Sequence, residues 1–172
     1  MSGIIGVSPD MRSGVVGSFP TGNVVQVVYD TLSGGGDHVI TSAQQAQSKS
    51  ITYKTTNPLI YVQAQGLWGS GNVSTGVTDM QMYTKLRNNT TSTDLNTIRS
   101  KSQQSSSGSD KSNYSERSIW WYGSVTVAAG VSHTYAFYYW TTNATYTRVS
   151  INRFGTSGDN GDTFLSITEI AS

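Results

Sequence analysis

Cysteine is missing from this 172-residue chain. That excludes disulfides and thiolate-held metals. Charge is scarce: Asp, Glu, Lys and Arg make up 12% of the residues and nearly cancel, leaving a net charge of +1. An average protein carries roughly 25%. A basic footprint for nucleic acid or anionic lipid is therefore lacking. No stretch approaches the ~18 consecutive apolar residues of a membrane-spanning helix. The opening MSGIIGVSPDMRSG has neither the basic start nor the apolar run of a secretion signal. The expectation is a soluble chain made in a cytoplasm. Catalytic vocabulary is equally thin. The two histidines, His38 and His133, fall on separate predicted strands and are expected to face solvent. Neither a nucleophile elbow nor a zinc-protease motif occurs. Asp79 and Glu169 lie on predicted strands, but no carboxylate pair is placed across a cleft as glycoside hydrolysis requires. Asp159-Asn160-Gly161-Asp162 has the letters of a calcium loop without its remaining oxygen ligands, and a tight turn accounts for the same letters. The sequence predicts no enzyme, no cofactor and no metal.

Ser, Thr, Asn, Gln and Gly take the place of charge. Little net charge then keeps copies apart, so surfaces of this kind associate readily. Apolar residues recur mostly with a period of two, the signature of half-buried strands. Val24 to Tyr29 is a strong strand, His38–Thr41 and Ser50–Thr55 are short ones, and residues 43–47 read as a loop or a single helical turn. Leu59 to Gln65 follows, with Ile60, Val62 and Ala64 facing inward. Residues 66–71 read as a loop. Asp79 to Arg87 carries Met80, Met82 and Leu86 on one face. Residues 88–115 read as one long polar connection in which only Leu95 and Ile98 could anchor. Ser118–Val127 and His133–Thr141 read as an aromatic hairpin about Ala128-Ala129-Gly130. Thr145 to Ser172 reads as a C-terminal hairpin, its last run, 163–170, apolar on both faces and therefore central in a sheet. About ten strands with glycine-rich turns and no helix predict an all-β sandwich or barrel. A jelly-roll of eight strands with one or two accessory strands fits.

Residues 1–22 stand apart as an arm, with the domain running from 23 to 172. The arm repeats Ser-Gly-Ile-Ile-Gly as Ser-Gly-Val-Val-Gly eleven residues later. Ordering such a segment costs on the order of 1–2 kcal/mol per residue. Its apolar side chains Ile4, Ile5, Val15, Val16 and Phe19 are therefore expected to lie against a partner chain or the base of the domain.

Aromatic residues are the surplus. Trp120-Trp121-Tyr122 and Tyr138-Tyr139-Trp140 lie on what read as neighbouring strands. Alternation sends Trp120, Tyr122, Tyr138 and Trp140 to the face opposite Trp121. Two aromatic faces exceed the needs of one core, and Tyr and Trp are enriched at subunit interfaces. Trp120, Tyr122, Tyr138, Trp140 and Phe164 are thus the candidate interface residues. An alternative is a sugar-binding module stacking a glycan on Trp68, Trp120 or Trp140.

Four stretches carry a resemblance: GNVVQVVYDT at 22–31, TYAFYYW at 134–140, SINRF at 150–154 and TFLSITEIA at 163–171. Together they resemble a family of bacteriophage virion proteins whose C-terminal domain is a jelly-roll of the C1q/tumour-necrosis-factor type. The resemblance spans residues 22–172. It implies a homotrimer within a phage particle, hence a virion location. Within that class, no fibre shaft is present and only about 22 residues precede the domain. This favours a capsid decoration (cement) protein held by its arm to the major capsid protein. The alternative is a tail-fibre tip or adaptor that binds a carbohydrate receptor.

Overall fold

The alternation of Ile60, Val62 and Ala64 belongs to a strand twice as long as its apolar run. The computed structural model describes residues 21–33, 36–38, 41–72, 79–103, 112–141, 147–151 and 162–172. In chain order its strands are β1 (Val24–Ser33), β2 (Gly36–His38), β3 (Gln44–Thr52), β4 (Leu59–Asn72), β5 (Asp79–Asn88), β6 (Thr93–Gln103), β7 (Ser112–Ser124), β8 (Ser132–Trp140), β9 (Thr147–Ile151) and β10 (Asp162–Ile170). No helix occurs among the described residues. The protein is all-β, with two antiparallel sheets.

The first sheet, A, is built on β4. Along one edge β7 pairs with it from Leu59 to Gly71. The other edge is shared: β10 takes Leu59 to Gln65 and β9 takes Trp68 to Asn72. β1 completes the sheet beyond β10, and β2 beyond β9. The second sheet, B, runs β3-β8-β5-β6. Among the described strands, only β5 and β6 form a hairpin joined within one sheet by a tight turn.

Several sequence expectations change here. β9 and β10 do not pair with each other; both pair with β4, so the C-terminal hairpin is replaced by two strands laid end to end on one edge. β10 is central, as its composition requires, between β1 and β4. β7 and β8 are not a hairpin either, because they belong to different sheets. Residues 44–47, expected as a loop or helical turn, join the strand expected from 50 in one β3, and β4 runs through the glycines at 66, 69 and 71. The polar stretch 88–115 contains β6 and the start of β7.

The core lies between the sheets. Ile60, Val62 and Ala64 of β4, Leu165 and Ile167 of β10 and Ile119 of β7 face Ile51, Met82, Leu86, Tyr135 and Phe137 of sheet B, all buried. Each fully buried large side chain contributes roughly 1.5–3 kcal/mol. Trp68 and Phe137 bridge the layers, with ring centroids 5.0 Å apart.

At one end of the sandwich two connections are stitched together. The Tyr53 N–H donates to the Val131 carbonyl (2.9 Å), the Asn57 N–H to the Val127 carbonyl (2.8 Å), and the Val125 N–H to the Pro58 carbonyl (3.0 Å). Asn57 sits at φ 50°, and its Oδ1 accepts from the Val127 N–H at 3.0 Å. The buried Glu169 carboxylate ties the same loop to β10. It accepts from the N–H groups of Lys54 and Thr55 and the Thr55 hydroxyl at 2.8–3.0 Å, and from the Gln26 amide.

Candidate assembly surface

Alternation in sheet A sends every second residue outward, and antiparallel register aligns these residues in rows. Four rows cross β1, β10, β4 and β7: Val24-Ile170-Leu59-Ser124, Val27-Thr168-Tyr61-Tyr122, Tyr29-Ser166-Gln63-Trp120 and Thr31-Phe164-Gln65-Ser118. None of these sixteen side chains carries a charge. Eight large hydrophobic side chains are exposed among the described residues, and six of them stand on this face: Val24, Val27, Tyr29, Trp120, Tyr122 and Phe164. Tyr29 is the most open, at 67%, and Trp120 keeps 56% of its surface. Trp120 leans on Tyr61, centroids 6.3 Å apart. Beside them Gln63 donates to Gln65 (3.3 Å) and Gln65 to Glu116 (3.2 Å), the first charge at the rim. Exposed large hydrophobic side chains gathered on one face of a sheet mark a surface suited to association.

The candidate interface residues thus divide. Trp120, Tyr122 and Phe164 share the outer face of sheet A. Tyr138 and Trp140 stand on the outer face of sheet B, because residues 125–131 carry the chain from one sheet to the other. There Trp140 stacks on Tyr83 at 5.2 Å and 16°. The Lys85 ammonium lies 5.5 Å from the Tyr138 ring centroid and 5.7 Å from that of Trp140, and also pairs with Asp94 at 3.1 Å. Tyr138 donates to Asn89 at 3.0 Å. These aromatics already have intramolecular partners. Val24, Val27, Tyr29 and Tyr61 were not singled out from sequence. For Val24, Val27 and Tyr29 the signal lies in 24–29, a strand apolar on both sides; Tyr61 carries none beyond its outward place in the alternation of β4.

Trp68 is 2% exposed and cannot stack a sugar. His133 is buried rather than solvent-facing, and burial holds its pKa below the ordinary 6.5. Burial also lowers Arg117 and raises the phenols of Tyr53, Tyr135 and Tyr139. Glu169 is saturated by the loop it holds. No group of three or more His, Asp or Glu residues able to hold a metal occurs among the described residues. Ile4, Ile5, Val15, Val16 and Phe19, and residues 159–161, lie outside the described residues.

No family model and no curated protein matches the chain. Among solved structures it is similar to VP2 of infectious bursal disease virus. The VP2 subviral particle shares 10% identity over 86% of this chain and 42% of the other, with a TM-score of 0.28. The derived T=1 particle shares 12% over 97% and 44%, with a TM-score of 0.29. The chain spans less than half the length of either.

Proposed function

We propose that this chain is a non-enzymatic structural protein of a phage particle that assembles as a homotrimer through the outer face of sheet A. The observation that carries the reading is that face itself: sixteen aligned side chains without a charge and six exposed large hydrophobic groups. With strands about 4.8 Å apart and about 3.4 Å per residue, sixteen positions project to roughly 19 by 27 Å. That is about two-thirds of the ~800 Å² each partner gives to a standard interface. The strand orders support a jelly-roll of the C1q/tumour-necrosis-factor type: β1-β10-β4-β7 opposes β3-β8-β5-β6, with β2 and β9 accessory. The virion assignment rests on the resemblance of residues 22–31, 134–140, 150–154 and 163–171 to phage virion proteins. Within the particle the role is capsid decoration, with residues 1–22 reaching the major capsid protein.

Light scattering on the full chain tests this. Three copies per particle are expected at micromolar concentration, and a monomer overturns the reading. Trp120→Arg should give a folded monomer, because a guanidinium buried in this uncharged face has no counter-charge.

A further inference from the structure

The β5–β6 turn, residues 89–92, is shaped around one buried pair, Asn88 of β5 and His133 of β8. Asn88 is 4% exposed and His133 7%. The Asn88 Oδ1 accepts from the N–H groups of Thr90 (3.1 Å) and Thr91 (3.3 Å), which shapes the turn. Those two donors fix which way the amide points. Its Nδ2 therefore faces His133 Nδ1, 3.0 Å away. An amide nitrogen only donates, so Nδ1 must be the unprotonated nitrogen of a neutral imidazole. Beyond this pair the turn is held by the Asn89 N–H on the Thr134 carbonyl (2.7 Å) and the Thr134 N–H on the Thr90 hydroxyl (2.9 Å), and at its exposed end by the Asn89 side chain, which donates to Gln45 (2.9 Å) and accepts from Tyr138 (3.0 Å); none of these exposed ties involves His133.

We propose that His133 is an acid-sensitive latch, whose protonation frees the 89–92 turn from β8 while the two sheets stay paired. An imidazolium presents N–H to N–H at Asn88. The amide can turn over to offer its oxygen, but the Thr90 and Thr91 N–H groups then lose their acceptor. Either way the turn loses hydrogen bonds. Among the described residues, the ring's contacts are an amide and two phenols, none of which carries a charge to offset the new one. Tyr53 meets His133 edge-on at 5.2 Å and Tyr135 lies at 6.5 Å. Their hydroxyls bond to each other at 2.7 Å, and burial pushes both phenols up, so they stay neutral through the acidic range. Ile51 is the cross-strand neighbour on β3. The carboxylate bearing on this cluster from β10 is Glu169, which acts on Tyr53 and is already held by four donor groups of the Gln26, Lys54 and Thr55 residues. The sign follows from burial. The latched form holds the histidine pKa below 6.5, so the open form takes the proton first. Latching is complete above about pH 6.5 and is lost as the pH falls through the lowered value.

Amide hydrogen exchange on the full chain, expressed as protection relative to the free peptide, reads this directly. From about pH 7.5 to about pH 5, protection at Thr90, Thr91 and Thr134 should fall about tenfold or more while Val62 and Ile167 hold theirs. Imidazole nitrogen shifts at the higher pH should report the proton on Nε2. Asn88→Asp supplies the decisive control. One carboxylate oxygen still serves Thr90 and Thr91, and the other accepts from a protonated Nδ1, so acid should now retain the turn. A proton on Nδ1 at neutral pH, unchanged protection at Thr90 and Thr91 while His133 titrates, or the same acid release in Asn88→Asp would each overturn the latch.

Discussion

Buried polar atoms in this core are mostly paired, and Gln47 is the departure. It is 5% exposed on β3, and neither its Nε2 nor its Oε1 finds a partner among the described residues. It stands beside Phe137 where the β3–β8 register shifts. A buried amide without partners costs about 1–3 kcal/mol. Gln47→Met keeps the length and removes the cost, so it should raise the urea midpoint by the equivalent of about 1–2 kcal/mol. A lower midpoint would mean the amide has a partner in the folded protein. Glu169 is the opposite case, a buried carboxylate whose acceptor positions are all taken by one loop and one neighbouring strand. Nothing in the sequence separates the two residues. Both are polar letters at inward positions of strands, and burial is decided by which strand lies opposite.

Among the elements, β4 sets the tolerance of sheet A. A Cβ on Gly66 would sit 2.4 Å from the Thr163 Oγ1, 2.7 Å from its Cα and 2.8 Å from the Asp162 carbonyl. Two of these contacts are backbone, so β10 would have to move. Gly66→Ala is expected to destabilise by about 1–3 kcal/mol, measured as a fall in the denaturant midpoint, and to leave the 53–58 loop intact. The same glycine explains a misreading. Gly66, Gly69 and Gly71 look like loop punctuation, yet they lie in a strand that is paired on both sides, where Gly66 admits a close neighbour. The inward faces of β4, β8 and β10 were legible because alternation reports local exposure. Pairing was not, since period two says nothing of which strand lies alongside. That is why Trp120 and Tyr122 were placed with Tyr138 and Trp140 although a sheet-crossing connection separates them. β6 is hidden in the sequence for a different reason. Leu95 and Ile98 are three apart, out of step with a strand, and as an edge strand it buries little.

At the scale of the molecule the two outer faces differ in kind. Sheet A offers uncharged apolar surface, whereas sheet B holds its aromatics under Lys85 and pairs Lys85 and Arg87 with Asp94. A trimer that buries sheet A leaves sheet B turned outward. In the proposed particle, removing residues 1–20 should leave that trimer folded and soluble but abolish its binding to shells. Full occupancy by the truncated protein in a sedimentation assay would refute the arm's role.

The pairing of the first strand with the last has a mechanical consequence. Val24 lies opposite Ile170, and the Gly22 N–H reaches the Ala171 carbonyl. Residues 22 and 171 therefore leave the sheet at one corner. Ladder hydrogen bonds lie across the strands, so a pull applied between these two points meets them one at a time, as a zipper does, rather than all together in shear. Tension between neighbours attached through the two ends would peel β1 from β10 at low force and leave β4, with β7 and β9, in place. A linkage that loads the protein through β4 instead would set the β7, β9 and β10 ladders in shear and resist far more. An attachment through the N-terminal arm alone, with the chain's far end unloaded, spares the molecule from its weakest direction of pull.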